Sequence, residues 1–128
     1  MADGKIEERI ERSADEVWAL IGNFGGLGEW MPGIDACELD GDVRKLSTMG
    51  MEIHERLVSQ DDDARTHSYS IVQGPMPIEH HLATISVRPD GDGSILTWEY
   101  EVRPDDMAAA FGPVYEGSVK AVKAQLEG

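Results

Sequence analysis

The sequence predicts an α+β fold in which one long C-terminal helix packs against a curved antiparallel sheet. From residue 105 to residue 126, apolar side chains recur at helical spacing and share one face, while charged side chains fall on the opposite face. From residue 34 to residue 103, short segments of alternating apolar and polar residues are separated by turn-forming residues, which is typical of hairpin-linked strands. A helix with one apolar face needs a partner surface, and the sheet provides it.

The first predicted elements are a strand and a short helix. Residues 5 to 12 alternate, with Ile6 and Ile10 on one side, and predict an opening strand. Ser13 then follows as a helix N-cap, and Glu16 completes a capping box. Several glycines interrupt the chain after this helix, so we expect a loop with one further helical turn.

Further strands follow, separated by tight turns rich in Asp, Gly and Pro. They are predicted at residues 34–40, 43–48, 51–59, 65–73, 79–88 and 94–103. With the opening strand they make a seven-stranded antiparallel sheet, interrupted by two short helices after its first strand and closed by the long helix. A chain of 128 residues with 41% hydrophobic residues is expected to form a single domain over residues 1–128.

The composition argues against several classes of function. The net charge of −14, from 25 acidic and 11 basic residues, repels nucleic acids and anionic membrane surfaces. Cys37 is the single cysteine and cannot form an internal disulfide, the N-terminal residues contain no apolar signal segment, and no apolar run is long enough to cross a membrane. We therefore expect a cytoplasmic monomer or weak homodimer with no nucleic-acid partner and no membrane insertion.

The segment from residue 51 to residue 59 places a carboxylate in an apolar setting. Alternation puts Ile53 and Glu55 on the same, more apolar face of this strand. A partly desolvated carboxylate is suited to hydrogen bonding a ligand or to acting as a general acid or base. The alternative is a structural role, in which Glu55 pairs with a base on a neighbouring strand such as Arg44 or His81. The sequence leaves both interpretations open.

His80 and His81 are adjacent on one predicted strand, so their side chains point to opposite faces and only one can enter a pocket. An inward histidine beside Glu55 would form a proton-transfer couple near neutral pH; the alternative is one exposed and one core histidine. The sequence does not decide which one is inward, and we take His81 as the catalytic candidate together with Glu55 and Tyr69. The four histidines lack metal-binding spacing and no phosphate-binding loop opens a helix, so we expect no metal and no cofactor.

Aromatic and thioether side chains lie on the inward faces of the predicted long helix and sheet, where they are candidates for the wall of a pocket. Ser118 lies in the middle of the apolar helix face, close to Tyr115, which suggests an interface that is not fully dry or filled. The predicted ligand-binding residues are Trp30, Met31, Ile53, Glu55, Tyr69, Ile71, Trp98, Tyr100, Met107, Phe111, Tyr115 and Ser118. The alternative is that these residues form an ordinary core.

Several segments, in their order and spacing, resemble one known superfamily over essentially the whole chain. They are Ser13-Ala-Asp-Glu-Val-Trp18, Trp30-Met-Pro-Gly-Ile34, Glu55-Arg-Leu57 followed by Asp61, Tyr69-Ser-Ile71, and Trp98. The chain resembles the START-like, or SRPBCC, superfamily, which includes birch-pollen allergens, plant abscisic-acid receptors and bacterial polyketide cyclase/dehydrase proteins, and it is most similar to the last of these branches. The resemblance implies a helix-grip fold with a deep apolar cavity. In the plant receptors the glutamate of a similar Glu-Arg-Leu strand faces the ligand cavity, which implies the same for Glu55.

The resemblance leaves three functions to distinguish, since one fold can host all of them. The first is a carrier that binds a hydrophobic, aromatic or polyketide-like small molecule, and this is the function we predict. The second is a cyclase, dehydratase or lyase without metal or cofactor, in which Glu55, His81 and Tyr69 shuttle protons. The third is a protein-interaction module whose pocket is vestigial.

Overall fold

The computed structural model describes residues 2–128, and the side chains at positions 2, 3 and 108 lie outside that description. The elements are, in chain order, β1 (Ala2–Ile10), α1 (Ala14–Ile21), a 3₁₀ helix (Phe24–Glu29), β2 (Ile34–Asp40), β3 (Val43–Thr48), β4 (Met51–Asp61), β5 (Thr66–Gln73), β6 (His80–Asp90), β7 (Gly93–Arg103) and α2 (Asp105–Glu127). This confirms the predicted curved seven-stranded sheet, the two short helices after its first strand and the long C-terminal helix.

The sheet is a meander with one exception. Its spatial order is β1-β7-β6-β5-β4-β3-β2, and every neighbouring pair is antiparallel. β1 pairs along β7, so that Ile6 lies opposite Trp98. The first strand therefore completes the sheet beside the last one.

Several strand boundaries differ from the predicted ones by one to three residues, and two of the differences have identifiable reasons. β6 extends to Asp90 because its hairpin with β7 is tight: Asp90 pairs with Gly93, and Gly91 in the turn has φ +61°. β1 ends at Ile10 rather than at residue 12, because the chain must turn before Ser13 caps the next helix.

α1 begins at the predicted capping box. The Glu16 backbone N–H donates to the Ser13 hydroxyl at 3.2 Å, and the Ser13 backbone N–H donates to the Glu16 carboxylate at 3.4 Å. Val17, Trp18 and Ile21 form its buried face, which packs towards β6 and β7. This helix covers one end of the concave face of the sheet.

α2 has the predicted amphipathic character. Tyr115, Ser118, Val119 and Val122 are buried, while Lys120 lies on the exposed face. The helix packs directly against β1 and β7. Over the other half of the concave face, the space between helix and sheet is not filled.

Candidate functional site

A cavity of about 410 Å³ lies between α2 and strands β3, β4 and β5. Its walls are predominantly apolar, and they are contributed by these strands, by α2, by the 3₁₀ helix and the segment after it, and by the β5–β6 loop. Eight of the predicted ligand-binding residues line it: Met31, Ile53, Glu55, Tyr69, Ile71, Phe111, Tyr115 and Ser118. A volume of this size is within the range of small-molecule sites.

Four other predicted ligand-binding residues do not line this cavity. Trp98 is 1% exposed and stacks against Tyr115, with ring centroids 4.3 Å apart and an interplanar angle of 19°. Trp30 meets Trp98 edge to face at 6.0 Å, and Tyr100 meets Tyr115 in the same manner at 5.1 Å. Met107 lies partly buried near the start of α2. β7 is a strand that α2 covers directly, so its inward aromatic rings are buried by the helix rather than by an open space.

The structure brings His81, and not His80, to the concave face. His81 is 2% exposed and lies opposite the buried Val102 of β7. His80 is exposed on the convex face, where it lies 3.3 Å from the Glu101 carboxylate. The register in which β6 pairs with β7 determines which of the two histidines faces inwards.

The His81 ring is hydrogen bonded at both nitrogens. The backbone N–H of Ile71 donates to Nδ1 at 3.1 Å, and Nε2 lies 2.9 Å from the Tyr115 hydroxyl. Burial, together with electrostatic repulsion from His80 and Arg44, lowers the pKa of His81 from its ordinary 6.5 to about 4. His81 is therefore neutral at pH 7, and its hydrogen-bond partner is Tyr115 rather than Glu55.

Glu55 forms a buried ion pair with Arg44 at the inner end of the cavity. Arg44 Nε donates to Glu55 Oε1 at 2.7 Å, and Nη2 lies 2.7 Å from the same oxygen. The guanidinium is also fixed by a hydrogen bond of 3.1 Å from Nη1 to the Phe24 carbonyl. It lies 4.0 Å from the centroid of the Phe24 ring and 4.6 Å from that of Tyr69. The sequence suggested Arg44 or His81 as the partner of Glu55, and the structure pairs Glu55 with Arg44.

The pair leaves part of Glu55 available. Both contacts from Arg44 go to Oε1, and no described residue donates a hydrogen bond to Oε2. Because Glu55 also lines the cavity, this second oxygen is an acceptor for a ligand. A buried pair of this kind costs desolvation energy, which its additional hydrogen bonds and ring contacts offset.

Ser118 is satisfied within α2. Its hydroxyl donates to the Val114 carbonyl at 2.8 Å, one turn earlier in the helix. The hydroxyl on the buried face of the helix therefore has its hydrogen-bond partner within the helix itself. The polar groups that lie together in the cavity wall are Arg44, Glu55, Tyr69 and Tyr115, since the charges of Arg44 and Glu55 affect the pKa of both phenols.

Sequence reasoning missed several wall residues. Arg44 was considered only as a structural partner, although it lines the cavity. Met51 also lines it and shares the alternation of Ile53 and Glu55, so parity alone could have identified it. Met49 and Met76 lie on turns, where neither alternation nor helical spacing indicates an orientation.

Among the side chains that the structure describes, no three potential ligands are grouped to hold a metal ion. His54, for example, lies 2.9 Å from the Glu52 carboxylate on the convex face. In the described part of the chain, no helix combines the length and the hydropathy needed to span a bilayer.

A curved antiparallel sheet that holds a C-terminal helix above an apolar cavity defines a helix-grip domain of the START-like class. The chain belongs to the family described as polyketide cyclase/dehydrase and lipid transport, whose family model matches residues 1–127. The predicted superfamily is thereby confirmed. A search of curated proteins found no match.

Solved structures agree with this assignment. The protein XoxI from Bacillus cereus is similar at a TM-score of 0.92 and 32% identity, over 98% of this chain and 95% of that one. A START superfamily protein from Mycobacterium smegmatis has a TM-score of 0.83 and 16% identity, over 99% and 98% of the two chains. The di-domain aromatase/cyclase BexL of the BE-7585A biosynthetic pathway has a TM-score of 0.84 and 16% identity, over 99% of this chain and 47% of that one. Because the last two proteins are only 16% identical to this chain, their similarity shows a shared fold alone.

Proposed function

We propose that this protein binds a hydrophobic small molecule, aromatic or polyketide-like, in the cavity beneath α2 and carries or sequesters it. The observation that carries the proposal is the cavity of about 410 Å³ with almost entirely apolar walls. A close-packed core contains few voids larger than a water molecule, so a space of this size and lining has the character of a binding site. The family description, which includes lipid transport, supports the same proposal.

The cavity separates an apolar part from a polar end. Ile53 and Ile71 on the sheet and Phe111 on the helix provide surface for the body of a ligand, while Glu55 and Tyr115 provide polar groups at the inner end. A few polar groups in an apolar pocket fix the orientation of a ligand without contributing most of its affinity. The proposed ligand is therefore mostly apolar, with one polar end directed inwards.

Four methionines contribute to the cavity wall. Met31, Met49, Met51 and Met76 all line the cavity, and Met49 is 76% exposed at the turn between β3 and β4. Thioether side chains are flexible and polarizable, so they adapt to ligands of different shape. This composition favours a carrier with some tolerance for its ligand.

An enzyme of the cyclase, dehydratase or lyase type is the second candidate. The observation that favours it is the convergence of Glu55, Tyr69 and Tyr115 at one end of the cavity, because these are groups that can accept or donate protons. In such an enzyme Glu55→Gln is expected to lower turnover by 10²-fold or more, roughly the contribution of a positioned acid or base. In a carrier the same change alters affinity, and in both cases it removes the counter-charge of the buried Arg44, so the folding of the variant is measured first.

The first experiment is mass spectrometry of small molecules released by denaturing the protein purified from its native host. A single apolar metabolite in stoichiometric amount supports the carrier. A mixture of compounds related by loss of water or by ring closure supports the enzyme.

A matched pair of variants locates the ligand. Ile71 lines the cavity, whereas its neighbour Val72 is 47% exposed on the opposite face of β5. Ile71→Trp fills the cavity and is expected to abolish ligand retention, while Val72→Trp is expected to preserve it. Equal retention by both variants would exclude the cavity as the binding site.

A further inference from the structure

The proton of the buried His81 has one possible position. The donor to Nδ1 is the backbone N–H of Ile71, at 3.1 Å, so Nδ1 must carry a lone pair. A neutral imidazole holds one proton, which then resides on Nε2. His81 therefore donates from Nε2 to the Tyr115 hydroxyl oxygen, 2.9 Å away.

This arrangement determines what Tyr115 offers to the cavity. Its oxygen accepts the hydrogen bond from His81, and so its own O–H must point elsewhere. Tyr115 lines the cavity, and burial raises the pKa of its phenol well above the ordinary 10, so the proton is retained at neutral pH. The cavity side of Tyr115 is thus a hydrogen-bond donor.

The Tyr115 ring cannot easily turn away. Trp98 stacks on one of its faces at 4.3 Å, and the rings of Tyr100 and Phe111 lie 5.1 Å and 5.7 Å away. All three contacts restrict the ring, and the bond to His81 fixes the oxygen. A donor held in this way is preorganised for an acceptor on the ligand.

The neighbouring phenol competes for this O–H. Tyr69 also lines the cavity and accepts a hydrogen bond from Tyr115, and burial raises the pKa of both phenols. An acceptor oxygen on a ligand beside Tyr115 therefore takes the place of Tyr69 as the recipient of this O–H.

We propose that Tyr115 recognises a neutral acceptor oxygen, such as a ketone or ester carbonyl, on the ligand, and that His81 is a positioning residue that orients this phenol rather than a general base. The proposal rests on the function proposed above and specifies the chemistry of the ligand's polar end. It also replaces the role in proton transfer that the sequence suggested for His81.

The test compares two probes of nearly equal shape, 2-acetylnaphthalene and 2-isopropenylnaphthalene, which differ in having a carbonyl oxygen or a methylene group. The wild-type protein is expected to bind the ketone about fivefold to tenfold more tightly, the usual net effect of one hydrogen bond. Tyr115→Phe keeps the ring beneath Trp98 but removes the donor. It is expected to abolish the preference for the ketone while changing the affinity for the hydrocarbon less than about twofold.

The carbonyl stretching frequency of the bound ketone provides a second measurement. It is expected to be lower in the wild-type protein than in Tyr115→Phe, because a hydrogen bond weakens the C=O bond. For His81, the amide nitrogen of glutamine can occupy the position of Nε2, whereas asparagine reaches only the position of Nδ1. His81→Gln is therefore expected to retain more of the ketone preference than His81→Asn, and a purely structural role would leave the preference unchanged in both folded variants.

The outcomes separate the two proposals. If the wild-type protein binds both probes with equal affinity, or if the ketone preference survives Tyr115→Phe, the assignment of Tyr115 is wrong although the cavity binds apolar molecules. If the wild-type protein binds neither probe, the proposed function fails and this inference fails with it.

Discussion

α2 meets the two halves of the concave face in different ways. Beside β1 and β7 it is in direct contact, with Val119 and Val122 at most 1% exposed. Above β3, β4 and β5 the same helix leaves a cavity of about 410 Å³. An amphipathic pattern thus predicts which face of a helix is inward, but it does not tell whether that face meets other side chains or an open space.

The largest expected change in unfolding free energy is on the side of the sheet that α2 contacts directly. Trp98→Ala removes a large side chain that is 1% exposed and supports Tyr115, and it is expected to lower the free energy of unfolding by ~3 to 5 kcal/mol. Urea denaturation measures this change. A loss of less than about 2 kcal/mol would mean that Trp98 borders an open space, and the contrast between the two halves would disappear.

A matched pair of isoleucines tests the contrast directly. Ile85 is 1% exposed on β6, away from the cavity walls, whereas Ile53 is 7% exposed and lines the cavity. Ile85→Ala is expected to cost about 4 kcal/mol and Ile53→Ala about 2 kcal/mol, because a side chain beside an open space loses fewer contacts. Denaturation of the two variants under the same conditions gives the difference. Equal losses of unfolding free energy would show that side chains beside the cavity are packed as tightly as those on the other half of the sheet.

The smallest effect concerns pH and the second buried histidine. His67 is 1% exposed among the rings of Trp18, Phe24 and Tyr69, and no described residue hydrogen bonds to either ring nitrogen. Burial, together with the charge of Arg44, lowers its pKa from 6.5 to about 4. The unfolded chain therefore binds more protons than the folded protein between these values, so this contribution to stability is complete above pH 6.5 and is lost as the pH falls towards 4.

The loss is about 1.4 kcal/mol per pH unit within this range, and His81 is expected to contribute a similar amount. His67→Phe keeps an aromatic ring in the cluster and removes one of the two contributions. Its unfolding free energy is therefore expected to fall less steeply than that of the wild-type protein between pH 6.5 and 5. Parallel curves would show that His67 is already protonated or is accessible to water in the folded protein.

Local patterns were sufficient to predict most of the fold. The capping box placed the start of α1, helical spacing placed the buried face of α2, and alternation placed Glu55 inwards on β4. Each of these predictions depends on residues that are close together in the sequence. The resemblance to START-like proteins added the cavity, which no local pattern contains.

The rest required knowledge of strand pairing. Alternation left two options for His80 and His81, and only the pairing of β6 with β7 decides between them. The partner of Glu55 could have been found, because the tight turn at Met49 and Gly50 places Arg44 directly opposite it. The burial of Trp98 beneath Tyr115 depends on where α2 lies across the sheet, which a helix's own sequence does not specify.

The pairing of β1 with β7 has a consequence for folding. These strands are separated by nearly the whole chain, so closing the loop between them carries the largest entropic cost of any contact in the sheet. The hairpins from β2 to β5 join neighbouring segments and can form early. Folding on the ribosome is therefore expected to begin in the middle of the chain, and the strand that is synthesised first is the last to be held in place.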